Sequence, residues 1–390
     1  MNTLPDELIY TILSYAAEYE KFHEEDAIDA YYQRRSVLSS VLEIPRERHR
    51  IVRVCKRWRT IALEFLYSSV ILRNPIGLLS LKYSLVRSSP HLAGFVQAFS
   101  ILSDNTWLYS DPDLQILLDA CPNLLVFCAT RTAVLPISHH KNLLYMNIRD
   151  TFNEKARYVD ATAQLQLGLF THLQTLHLTR ESPPYSFHWR RTPRDRISLP
   201  YLNTLILQFD DPRDQVYEHI RKWSLPLLSV LQIWNIMSYT LCSMMHSFQS
   251  TLIIVDATVF TDGAVYAWTP RRLPMPCLKR FSISGGLVDF DSFFESVTAL
   301  ETLEFGLDWV REPRLPYDSE GWAVIRTDWR SFVLDWVTHA REEGRLQALK
   351  EVKFRIEYAD ESDTILLAEI GGVFRRCLPG TGIAILDGME

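Results

Sequence analysis

Hydrophobic positions fall into two patterns along this chain. From about residue 90 a short unit recurs, in which an apolar residue is followed by two others, an apolar residue, any residue and a further apolar residue. It reads Leu124-Leu-Val-Phe127-Cys-Ala129, Leu143-Leu-Tyr-Met146-Asn-Ile148, Leu173-Gln-Thr-Leu176-His-Leu178, Leu202-Asn-Thr-Leu205-Ile-Leu207 and Leu228-Ser-Val-Leu231-Gln-Ile233. It continues from Leu252 to Ala257, Leu278 to Ile283, Leu300 to Phe305 and Leu349 to Phe354. The alternation predicts, in each copy, a strand with one buried face. Successive copies start 19 to 49 residues apart, most of them 22 to 30. An earlier unit, His91 to Ile101, and a final strand, Ile383 to Leu386, flank the set. Between them, helix signals stand at 111–118, 211–223, 239–248, 289–297, 327–343 and 362–376, with Gly344 as a stop. Asp111-Pro112 and Asp211-Pro212 each supply a capping side chain and then a residue suited to the first helical position. One strand–turn–helix unit cannot bury its own apolar face, so stacked neighbours must do it.

The second pattern occupies the N-terminus. Pro5 suits a first helical turn, and Asp6 and Glu7 favour the positive end of its dipole. Leu8, Ile9, Ile12 and Leu13 then form an apolar stripe at helical spacing. A second stripe follows in Ile51, Val54, Cys55, Trp58, Ile61, Ala62 and Phe65. Between the stripes lies an insert near residues 20–45. Its acidic part holds Glu18, Glu20, Glu24, Glu25, Asp26 and Asp29, and Val37, Leu38, Val41 and Leu42 predict an extra amphipathic helix. These segments define a helical module over 1–72, followed by the repeating region over 73–390. A module of about 50 residues outside its insert is marginal without help. Its stripes must therefore pack on the rest of the chain or on a partner.

Leu4-Pro-x-Glu, the Ile12-Leu13 pair and Val54-Cys55-x-x-Trp58 together resemble the F-box, in the form common in fungal proteins. The passage from Tyr67 to Leu72 resembles that family's exit from its last helix into a strand. The resemblance implies docking on the Skp adaptor and, through it, on a cullin–RING ubiquitin ligase. It implies adaptor-facing roles for Leu4, Pro5, Leu8, Ile12, Leu13, Val54, Cys55 and Trp58. The repeating unit resembles the leucine-rich repeat, although the asparagine expected after each strand is mostly missing. The fold class expected is α/β: a small helical F-box module, then an irregular leucine-rich-repeat-like solenoid with a curved parallel sheet. An ordinary α/β domain with a parallel sheet is the alternative.

Composition narrows the function classes. Hydrophobic residues make up 47% and charged residues 23%, ordinary values for a globular protein. A net charge of −6 argues against a general pull toward nucleic acid. Arg46, Arg48, Arg50, Arg53, Lys56, Arg57 and Arg59 form a basic run, but Val54 and Trp58 make it amphipathic, as in a solvated helix face. The six cysteines show no CxxC pair and no zinc-ligand spacing, so they read as reduced thiols of an intracellular protein. No signal peptide and no membrane-spanning run is evident, and the expected location is cytoplasm or nucleus. No phosphate-binding loop, dinucleotide fingerprint or hydrolase elbow occurs. His139-His140 has no third ligand at a helpful spacing, and Cys121 and Cys128 have no evident His–Asp partner. No catalysis, cofactor or metal is therefore expected.

The leading expectation is a substrate-recognition subunit of a Skp–cullin–F-box type ubiquitin ligase, contributing proximity rather than chemistry. The alternatives are a non-catalytic scaffold that binds the adaptor or another protein without promoting ubiquitination, and an α/β enzyme using the segments 181–199 and 308–325 as a lid. Strand alternation places the target-facing residues on the side opposite the leucines. Trp234 stands near the middle of that face, with His177, Ile206, Gln232 and Arg280 around it. The target itself is an unidentified protein.

Overall fold

The computed structural model describes residues 4–16, 53–72, 74–101, 111–130, 142–151, 170–181, 197–209, 216–260, 275–285, 297–306, 339, 342–344, 346–356, 372, 375–376 and 380–387. The insert near 20–45, nearly all of both long breaks and most of the helices expected at 289–297, 327–343 and 362–376 lie outside these residues. Two compact units are present, Met1–Leu173 and Gln174–Glu390.

The first unit opens with helices α1 (Asp6–Ala16) and α2 (Lys56–Ser68). Pro5 accepts the first helical bond, from Ile9 N–H at 3.1 Å, so the helix starts where proline's missing N–H costs nothing. α2 runs directly into strand β1 (Ser69–Leu72). Helix α3 (Pro75–Lys82) follows, capped by the Asn74 side chain, which accepts the Gly77 N–H at 2.7 Å. A π-helical turn (Tyr83–Ser88) and a 3-10 turn (Pro90–Phe95) lead to β2 (Ala98–Ile101). Helix α4 (Asp111–Asp119), β3 (Val126–Thr130) and β4 (Tyr145–Thr151) complete the unit. β1 to β4 pair in chain order, all parallel. β1 therefore belongs to this sheet as well as ending the helical segment.

The second unit continues the same plan. Its strands are β5 (Thr175–Glu181), β6 (Thr204–Phe209), β7 (Val230–Met237), β8 (Ile254–Phe260), β9 (Arg280–Gly285), β10 (Thr302–Gly306), β11 (Glu351–Ile356) and β12 (Gly382–Asp387). Each pairs parallel with the next. Two described helices join them, α5 (Val216–Ile220) before β7 and α6 (Ser238–Phe248) after it. The described part of α5 stops short of the expected Trp223. Beyond it, Ser224 N–H bonds to Ile197 O at 2.8 Å, and Leu199 N–H bonds back to Ser224 O at 3.1 Å. That bridge draws the chain out of helical geometry.

Parallel strands in chain order, with helices after some of them, make an α/β fold of the leucine-rich-repeat-like solenoid kind. Its core follows from the repeated leucines. Leu205, Leu231, Val255, Phe281, Leu303 and Val352 stand side by side in register, all fully buried. The leading leucines of the copies, among them Leu202, Leu228, Leu252, Leu278 and Leu300, are also fully buried, just before their strands.

A shared turn explains how unequal repeats stay aligned. Asn203 O accepts the N–H groups of both Ser229 and Val230 at 2.9 Å. Ser229 O does the same for Ile253 and Ile254, Ile253 O for Lys279 and Arg280, Lys279 O for Glu301 and Thr302, and Glu301 O for Lys350 and Glu351. Each strand is thus anchored at its start to the one before it. The connections are free to vary in length, because loop length costs little once the ends are fixed.

Candidate functional site

Two surfaces gather the residues singled out by sequence. The first is on the helical segment of the first unit. Ile9 and Leu13 point from α1 into a cluster with Ala62 and Phe65 of α2, and Trp58 and Ile61 pack against it. Asp6 pairs with Arg57, while Tyr10 donates to Glu64 at 3.3 Å and packs its ring, tilted, 4.8 Å from that of Phe65, so α1 and α2 run in the same direction. The Arg57 guanidinium binds Asp6 Oδ1 through Nε at 2.7 Å and the Leu4 carbonyl through Nη2 at 2.6 Å. This fork fixes where the N-terminus of α1 lies against α2.

The apolar stripe of α1 is consequently split. Leu13 is 1% exposed and belongs to the interior, whereas Leu4, Leu8 and Ile12, one turn apart, are 38%, 50% and 47% exposed. Val54, ahead of α2, is 56% exposed. Trp58 is half-buried against the cluster, and Pro5 is exposed. Cys55 is exposed and caps α2, its Sγ accepting Trp58 N–H at 3.4 Å. The residues implied by the resemblance therefore divide into an inner set (Leu13, Trp58), a capping residue (Cys55) and an outer set (Leu4, Pro5, Leu8, Ile12, Val54). Exposed apolar residues spaced by four, as Leu8 and Ile12 are on α1, are what a partner surface would cover.

The second surface is the strand face of the second unit opposite its leucines. His177, Ile206, Gln232, Asp256, Ser282 and Glu304 lie in one register row across β5 to β10. Beyond His177 the row is covered, with Gln232 and Glu304 1% exposed and Ile206, Asp256 and Ser282 also buried. Arg280, one pleat away, donates to Glu304 Oε2 at 2.8 Å and keeps part of its side chain exposed. A buried carboxylate held by a guanidinium is costly to disrupt. His177 lies within hydrogen-bond distance of Thr179 Oγ1, at 3.1 Å, and is half-buried. His177, Trp234 and Arg280 thus retain accessible surface, whereas Ile206 and Gln232 do not. Asp256, Ser282 and Glu304 complete the polar row; strand alternation places Asp256 and Ser282 on this face as exposed residues, but both are buried, and Glu304 was not singled out. The alternation in Leu300-Glu-Thr-Leu303-Glu-Phe305 was the signal available for Glu304.

Trp234 stands at an irregularity. Ile233 faces Ala257 and Ile236 faces Val259, so Trp234 and Asn235 together oppose Thr258. This is a β-bulge. Asn235 has φ 59°, in the left-handed region that non-glycine residues seldom enter. Its amide donates to Phe209 O at 3.2 Å. The hydroxyl of fully buried Tyr217 reaches the carbonyls of Trp234 at 3.2 Å and Asn235 at 3.3 Å.

This chemistry suits binding by apolar cover, hydrogen bonds and ion pairs. Cys121 and Cys128 add no nucleophile. Burial pushes Cys121 and Cys128 up to about 12, so both are protonated at neutral pH. Because the raised values belong to the folded state, their stabilising contribution is complete below the ordinary thiol range and is lost as pH rises from there toward about 12. At pH 8, Cys55 and Cys277 are expected to react rapidly with a thiol reagent, while Cys121, Cys128 and Cys242 react only after denaturation. Peptide mapping of the labelled protein checks this. Among the described residues no cluster of His, Cys, Asp or Glu could hold a metal ion, and no helix is long and apolar enough to cross a membrane.

Comparison with known proteins adds little to this geometry. No protein-family model matches the chain, and no curated protein matches it. A crystal structure of a protein from Bacteroides fragilis is similar at 13% identity and a TM-score of 0.37, over 85% of this chain and 78% of that one.

Proposed function

We propose that the chain is the substrate-recognition subunit of a Skp–cullin–F-box type ubiquitin ligase. The α1–α2 segment docks on the Skp adaptor, and the strand ladder presents a target protein. The observation that carries this reading is the outer apolar set Leu4, Leu8, Ile12 and Val54, exposed on and just ahead of helices whose shared interior Ile9, Leu13, Ala62 and Phe65 already fill. The sequence pattern of those helices, which resembles the F-box, agrees with it. The chain would add no chemistry of its own, since holding a target lysine beside a charged ubiquitin carrier is a proximity effect. Trp234 is the leading target contact, because tryptophan is over-represented among interface anchors.

Co-expression of the tagged full-length chain with the Skp adaptor and a cullin tests the reading. Both proteins are expected to co-purify with it. Recovery of the adaptor without the cullin would favour a scaffold, and recovery of neither would overturn the proposal. Trp234→Ala is expected to abolish target capture while adaptor recovery stays unchanged.

A further inference from the structure

The Trp234–Asn235 bulge is not required by the packing of its strand. In β7, Ile233 is buried among the core leucines, Trp234 is on the opposite face, and Ile236 is again fully buried. Without Asn235 the sequence Ile233-Trp234-Ile236 would alternate as a regular strand does. Asn235 is therefore an inserted residue, and it brings a left-handed backbone with it. Among the described residues it is the only non-glycine position with positive φ. Two groups from outside β7, the Tyr217 hydroxyl and the Phe209 backbone carbonyl, meet this irregularity. The carbonyls of Trp234 and Asn235 are turned to the Tyr217 hydroxyl, and Phe209 on the neighbouring strand receives the Asn235 amide. Tyr217 is itself fixed, fully buried and with its ring 5.0 Å from that of Phe209.

A backbone conformation that costs energy, is not needed for core alternation and is held by dedicated hydrogen bonds points to function. Bulges re-aim the side chains beside them. We propose that Asn235 and Tyr217 are positioning residues for Trp234, and that the bulge sets the direction and solvent exposure of the indole on the strand face. The part of this proposal that concerns target binding rests on the receptor reading above.

The test uses the full-length chain labelled with 5-fluorotryptophan, with the Trp234 resonance assigned by its loss in Trp234→Phe. The solvent isotope shift of that resonance on moving from H2O to D2O reports exposure of the indole. Deletion of Asn235 should leave a cooperatively folded protein in which the Trp234 resonance moves and its isotope shift changes. Tyr217→Phe should move the same resonance in part. Asn235→Gly, which accepts positive φ without strain but lacks the bond to Phe209 O, should keep the resonance closer to the wild-type position than the deletion does. A Trp234 signal unchanged by the deletion would overturn the proposal. So would loss of cooperative folding in both the deletion and Asn235→Gly, since the bulge would then be serving the fold alone. If the deletion moves the resonance as expected but Trp234→Ala captures target normally, positioning stands and the receptor reading of this face falls.

Discussion

Replacing Leu8 and Ile12 together with Asp is expected to weaken adaptor binding by at least about a hundredfold while leaving the fold intact. Leu8 and Ile12 are 50% and 47% exposed, on the outer edge of the α1 stripe beside the buried Ile9 and Leu13. If a partner covers them, each substitution removes an apolar anchor and puts an unpaired carboxylate into a desolvated contact. Central interface anchors cost about 2 kcal/mol or more when truncated, and each 1.4 kcal/mol is about tenfold in affinity. Stability should barely move, because substitutions at exposed positions away from caps and buried networks usually stay within about 0.5 kcal/mol. Surface plasmon resonance for affinity and a thermal melt of the full-length chain separate the two effects. Leu13→Asp is the informative contrast, since its side chain lies in the cluster with Phe65 and its loss should unfold the helical segment.

The second large effect is expected in the ladder. Phe281 is fully buried on β9, in register between Val255 and Leu303. Phe281→Ala removes a ring from a row in which each residue packs on the strands either side, and such truncations cost about 3–5 kcal/mol. In a stacked fold that loss falls on the interfaces with both neighbours. Urea denaturation followed by circular dichroism should give a lower midpoint with an unchanged slope. A midpoint within error of the wild type would mean that this row is not the core of the second unit.

The strand ladder was legible in the sequence because its signal repeats. Each copy of the apolar unit became the start of a parallel strand, from β3 at Val126 to β11 at Glu351, and the final strand became β12. Alternation also named the face on which His177, Gln232 and Trp234 stand. It could not tell how deeply that face is covered, because burial there depends on side chains from neighbouring strands and connections. Gln232 and Ile206 were thus read as target contacts although both are buried. The Asn235 bulge breaks the alternation after Ile233, where the next buried residue is Ile236, but the repeating unit ends at Ile233 and so did not register it. In the helical segment, helical spacing joined Leu8, Ile9, Ile12 and Leu13 into one stripe. Two edges of that stripe have different fates, and only the packing of Ala62 and Phe65 decides which edge is inside.

Calorimetric titration of the purified full-length chain with purified Skp adaptor tests the central claim most directly. Saturable binding by the wild-type chain, lost in the Leu8→Asp, Ile12→Asp variant at an unchanged melting temperature, is the result expected. No binding by a folded wild-type chain, or equal binding by the variant, would contradict the assignment of this apolar face as the docking surface.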